Sequence, residues 1–181
     1  MSVFDLWLPV LAAGLATHVM SALAWMVLPH HKPEWKKFPE EDKLLELINE
    51  GPVPADQYMF PFAADTAEMK SEEFQQKQGK CRGMLILWPT ELNMGAAMGQ
   101  TLAFFFFAAF CIGYVASLAL QPGESFFQVF RVATTVGLLT HCLGIFPGVF
   151  WFKRRYLMDL ADKLAYAVVT GLIFAALWPA A

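Results

Sequence analysis

Four histidines carry most of the chemistry on offer in this chain: His18, His30, His31 and His141. His18 stands in the middle of one long apolar run, 11 residues after Trp7 and 11 before Pro29. His141 stands in the middle of another, 15 residues after Phe126 and 12 before Lys153. If both runs are helices that cross a bilayer in the same direction, the roughly 1.5 Å rise per residue brings the two rings to one depth. Each ring also shares a helical face with small residues: Gly14, Ser21 and Ala22 around His18, and Thr134, Gly137, Gly144 and Gly148 around His141. Such faces are where membrane helices approach one another, so both rings are expected to point inward. Two neutral imidazoles at one level can hydrogen-bond across the bundle, worth about 0.6 to 2 kcal/mol. Alternatively, they can ligate a metal axially, with haem b as the candidate cofactor, since two ligands are too few for a structural zinc. No Asp or Glu lies at that depth to make a proton relay with them.

A second group gathers at the end of the first run, where "HHKPE" offers His30, His31 and Glu34, and "KRRY" offers Lys153, Arg154 and Arg155. Adjacent histidines do not share a helical face, and Pro29 and Pro33 interrupt regular structure, so headgroup or solvent contact is expected there rather than a preformed metal site. The cluster is also the one feature that suits an enzyme acting on a lipid or quinone at the inner face. Asp159 and Asp162 with Lys163 read as an interfacial salt-bridge group. Asn93, Gln100, Tyr166 and Thr170 could line a polar seam between helices, and Pro147 should bend the third span below His141 and free the carbonyl of Leu143. Cys81, Cys111 and Cys142 are odd in number and scattered, which encodes neither a disulfide framework nor a metal knuckle.

The elements that must hold these groups follow from composition. Of 181 residues, 57% are hydrophobic and 15% aromatic, and the mean hydropathy is +0.44, more apolar surface than a water-soluble domain of this length can hide. Thirteen Lys and Arg against 16 Asp and Glu give no basic face for nucleic acid. Four stretches reach the roughly 20 apolar residues that a span needs: 7–28, 93–120, 126–152 and about 160–178. "MSVFDLW" carries no Lys or Arg, so the first run is expected to remain attached rather than be cleaved as a signal.

The expected fold is thus an all-α integral membrane protein, a four-transmembrane-helix bundle with an insert of about 60 residues between helices 1 and 2. In domain terms, residues 1–28 form the first span, 29–92 the insert, and 93–181 the remaining three. Lys and Arg concentrate in 29–92 and in "FKRRY", so those segments should be cytoplasmic, with both termini outside a bacterial-type inner membrane. Within the insert, "FPEEDKLLELINEG" reads as an amphipathic helix ended by Gly51, and "QYMFPF" as an extended apolar segment that must dock on something. Asp65 to Glu68 reads as a capping box for a helix running to Gln78.

The outline resembles that of the membrane-associated eicosanoid and glutathione enzymes, whose second span opens with an arginine, an asparagine and a glutamate that hold glutathione. Here "TELNMGAAMGQ" supplies Glu91 and Asn93 in a different order and no arginine, so the resemblance is one of topology and brings no activity with it. No nucleophile elbow, HExxH or P-loop is present. The function expected from sequence is an accessory, assembly or scaffolding subunit of a membrane complex, with a membrane protein partner or a second copy of the chain beside it in the lipid bilayer. A haem or metal-binding redox protein built on His18 and His141, and a small membrane enzyme acting on a lipid or quinone, are the alternatives.

Overall fold

The computed structural model describes residues 1–51 and 53–181 and is mostly helical. In chain order the helices are α1 (Trp7–Met26), α2 (Glu41–Glu50), α3 (Thr66–Met69), α4 (Glu72–Lys80), α5 (Met94–Ala119), α6 (Phe126–His141), α7 (Phe146–Phe152) and α8 (Leu157–Ala176). Two strands, β1 (Gln57–Phe60) and β2 (Gly83–Ile86), complete the set. The chain divides into two compact units, Met1–Lys36 with Met94–Ala181, and Lys37–Asn93. Residues 29–36 therefore belong to the first unit.

In the first unit, Val3–Met26, Met94–Ala119 and Phe126–Phe152 are long and apolar enough to cross a membrane. Only 33%, 39% and 28% of their most apolar windows are buried inside the protein, so most of each helix turns apolar side chains outward. Leu8, Leu11, Leu15, Val19 and Leu23 form such a row on α1, and Phe104, Phe107 and Leu118 do so on α5. Water would not tolerate that surface on a monomer, whereas hydrocarbon does, and the three helices mark a membrane-embedded protein.

α6 packs along α8, α1 along α5 and α8, and α5 along α6. The core between them holds Leu6, Ile112, Val129 and Phe174, interleaved with Ala13, Ala116 and Ala133. Small residues set how closely the helices approach. A Cβ on Gly137 would stand 3.1 Å from the Cα of Ala167, and one on Gly171 would run into the Thr134 hydroxyl. The stripe around His141 thus brings α6 onto α8, as small-residue faces do where no hydrophobic force separates helix from lipid.

α6 stops at His141, and after a 3-10 turn at Leu143–Ile145 the helix resumes as α7 with Pro147 in its first turn. The break falls where proline predicts it. The expected free carbonyl is a different matter: the tighter turn gives the Leu143 carbonyl the N–H of Phe146 instead. α7 ends at Lys153, a non-glycine residue at φ 54°, ψ 33° in the left-handed region, a conformation that costs about 1–2 kcal/mol.

The second unit corrects the all-helical expectation. β1 and β2 pair antiparallel, Tyr58 opposite Leu85 and Met59 opposite Met84. "QYMF" therefore docks on "GMLI". Strands of four residues are too short to show an alternation by themselves, and the pairing becomes visible only when both are read together. The single helix expected from Asp65 to Gln78 is also two. The Asp65 side chain caps α3 by accepting from the N–H of Glu68, and Ser71 starts α4 afresh by accepting from the N–H of Phe74.

Candidate functional site

At the end of α1, Pro29 stops the helix, and the chain turns through a 3-10 turn at Lys32–Glu34. Residues three apart lie one above the other in such a turn, which places Glu34 under His31, Nδ1 to Oε2 at 2.7 Å. The other face of the same ring meets α8: His31 Nε2 lies 2.8 Å from Asp162 Oδ2. His30 Nε2 reaches the same carboxylate, at 3.1 Å from Oδ1 and 3.3 Å from Oδ2. The Trp25 indole stacks on the His31 ring with centroids 3.8 Å apart and planes 9° from parallel. Arg155 donates to the Pro33 carbonyl and ties the loop between α7 and α8 to the same turn.

The electrostatics are those of a charged imidazole between two acids. Both neighbours of the His31 ring nitrogens are carboxylates, which accept only, so the ring that satisfies both is the imidazolium. Burial alone would push the His31 pKa down, but hydrogen bonds and charge attraction from Glu34 and Asp162 outweigh it and raise it above the usual histidine value. His31 is buried, at 4% exposure, while Glu34 and Asp162 are half-buried. His30, His31 and Asp162 can each turn one donor atom to a common centre, with those atoms within 4.8 Å of one another.

Beside the cluster lies a pocket of about 370 Å³, whose lining mixes the polar and charged side chains of His30, Glu34, Arg154 and Arg155 with Pro33, Tyr156, Leu157 and Met158. Its volume falls within the 300 to 1,000 Å³ typical of small-molecule sites. Lys153, the remaining member of the cationic loop, is exposed at the end of α7.

The two mid-helix histidines meet a common neighbour rather than each other. Phe105 of α5 stands against both, ring centroids 6.4 Å from His18 and 6.1 Å from His141, and His141 also faces Tyr166 at 6.1 Å. The Nδ1 of His18 is buried without a hydrogen-bond partner among the described residues. A cavity of about 110 Å³ touches His141, Phe105 and Tyr166 but not His18. It is well below the volume of a small-molecule pocket. In the expected polar seam, Tyr166 and Thr170 are buried, whereas Asn93 and Gln100 are exposed.

Sequence reasoning rejected the adjacent histidines because helical geometry keeps neighbours apart. In the turn that replaces the helix, the rings lie 4.3 Å apart and converge on one carboxylate. A signal for Asp162 was present: Asp159 and Lys163, four apart, pair with each other. That leaves Asp162 as the unmatched acid near the start of α8. Compared with protein-family models, curated proteins and solved structures, the chain matches none.

Proposed function

We propose that the chain is a four-span protein of a bacterial-type inner membrane that binds the polar head of a membrane amphiphile, a lipid or a quinone, in the pocket beside His30. Its fourth span is α8, whose 20 residues give about 30 Å of helix, enough for the hydrocarbon layer. The charges in its first two turns are paired, Asp159 with Lys163 and Asp162 with the histidines, which suits a helix end at the interface. The positive residues of 29–92 and 153–155 favour the cytoplasmic side for those segments, with both termini outside. The observation that carries the binding reading is the mixed lining of the pocket, in which His30, Glu34, Arg154 and Arg155 stand together with Pro33, Leu157 and Met158. An amphiphile combines the same polar and apolar characters.

Lipids and quinones extracted from the protein in nanodiscs cut directly from membranes test this against the bulk membrane. One amphiphile should be enriched in the wild type and return to its bulk share in the Arg154→Gln, Arg155→Gln double variant. Bulk proportions in the wild type overturn the reading. A phosphatase fused after Ala181 should be active, as an external C-terminus requires. The accessory or scaffolding reading is favoured by a separate observation, the exposed Met59, Phe60, Phe62, Met84 and Ile86 of the second unit. Migration of the protein in mild detergent as a larger species with a stoichiometric membrane partner, or as a homo-oligomer, would support it.

A further inference from the structure

The cluster at the end of α1 has the chemistry of a metal centre. Two imidazole nitrogens and one carboxylate form a mixed N/O donor set, which suits zinc, ferrous iron and their neighbours, whereas Mg²⁺ and Ca²⁺ take oxygen ligands. Bonds of about 2.0–2.2 Å at tetrahedral angles separate ligand atoms by about 3.3–3.5 Å. Asp162 Oδ2 lies 2.8 Å from His31 Nε2 and 3.3 Å from His30 Nε2, and all three donor atoms lie within 4.8 Å of one another, so shifts of about 0.5–1.5 Å in these side chains bring them to ligand spacing. Glu34 holds the far nitrogen of His31 at 2.7 Å, as carboxylates behind metal-bound histidines do to fix ring and tautomer. The Trp25 indole clamps the same ring from its face.

We propose that His30, His31 and Asp162 ligate a divalent transition-metal ion, with Glu34 orienting His31 and one coordination position open toward the pocket that His30 also lines. Three protein ligands and an open position are the pattern of metal sites that act on a bound molecule rather than of structural ones. The ligands come from two parts of the chain, the turn after α1 and the start of α8, so the ion would also clasp the first and last long helices.

The test uses the untagged full-length chain in detergent, stripped with EDTA and titrated with Zn²⁺ by calorimetry and with Co²⁺ by absorption. The wild type should take up one equivalent of Zn²⁺ per chain in the presence of excess Mg²⁺, and Co²⁺ should give the intense d–d bands of a four-coordinate N/O site. Asp162→Asn and His30→Ala should each weaken Zn²⁺ binding by about tenfold or more, and Glu34→Gln by about 10–100-fold. Substoichiometric uptake, displacement by Mg²⁺, or unchanged affinity in Asp162→Asn would overturn the site. The Co²⁺ spectrum is read on the wild type, so it does not depend on any variant folding. The inference stands on the donor geometry and not on the amphiphile reading, and the two tests share no readout, so each fails separately.

Discussion

Removing the charge of Asp162 should loosen the join between the turn after α1 and the start of α8, and the size of the effect follows from the geometry. In the metal-free protein the Asp162 carboxylate accepts from both histidines, and the His31 side chain is only 5% exposed against 16% for its partner, so solvent screens the pair little. Hydrogen bonds to charged groups contribute about 1.5–3 kcal/mol each, and the two at Asp162 share one acceptor and cannot simply be added. Asp162→Asn keeps the shape and one acceptor oxygen but leaves the imidazolium with Glu34 as its one acidic partner among the described residues. We expect a loss of about 2–3 kcal/mol at pH 6. A double-mutant cycle with His31→Asn should return a coupling of about 1.5–3 kcal/mol. The assay is reversible unfolding in mixed micelles, with EDTA present, followed by far-UV circular dichroism. Because the folded pKa of His31 is raised, its contribution is complete below the unfolded value of about 6.5 and is lost as pH rises through the folded one. The groups facing His31 are His30, Glu34 and Asp162. The coupling should therefore shrink on going from pH 6 to pH 9. A coupling within 0.5 kcal/mol of zero at pH 6 by that ordinary surface yardstick, or one that grows with pH, would refute the reasoning.

Other substitutions probe the packing. Gly171→Ala places a methyl group against the Thr134 hydroxyl and should destabilise the protein by about 1–3 kcal/mol. Gly99→Ala meets nothing within 4 Å and should stay within about 0.5 kcal/mol of wild type in the same unfolding assay. Ser71→Ala removes the side-chain acceptor for the Phe74 N–H and should cost α4 about 1 kcal/mol, read as faster hydrogen exchange at Phe74 and its neighbours in the first turn.

The membrane-embedded character and the long helices were legible because they rest on many residues at once. A run such as "AFFFFAAFCIGYVASLALQ" leaves few other solutions for its backbone, and Pro147 marked the break after His141 by removing one donor. The strand pair was not legible, because "QYMF" and "GMLI" each look like a short apolar stretch and their partnership spans a connection that holds α3 and α4. The site was half legible. The depth rule placed His18 and His141 at one level, but it could not show that Phe105 would stand against both. Conversely, the rule that neighbouring residues diverge holds for helices, and Pro29 and Pro33 had already announced that His30 and His31 were not in one. The same prolines that argued against a regular element permitted both rings to reach Asp162.

The notch where Gly171 receives Thr134 has an effect beyond its own surroundings. Asp162 lies nine residues before Gly171 on the same helix, about 13 Å along its axis, and a helix is stiff enough to carry a rotation over that distance. A side chain forced into the notch must displace either the Thr134 and Phe130 side chains or α8 itself, and a twist of α8 would swing the carboxylate off the two imidazoles. The fit at Gly171 and the reach of the acid thus share one helix, and the missing methyl lets both be met at once.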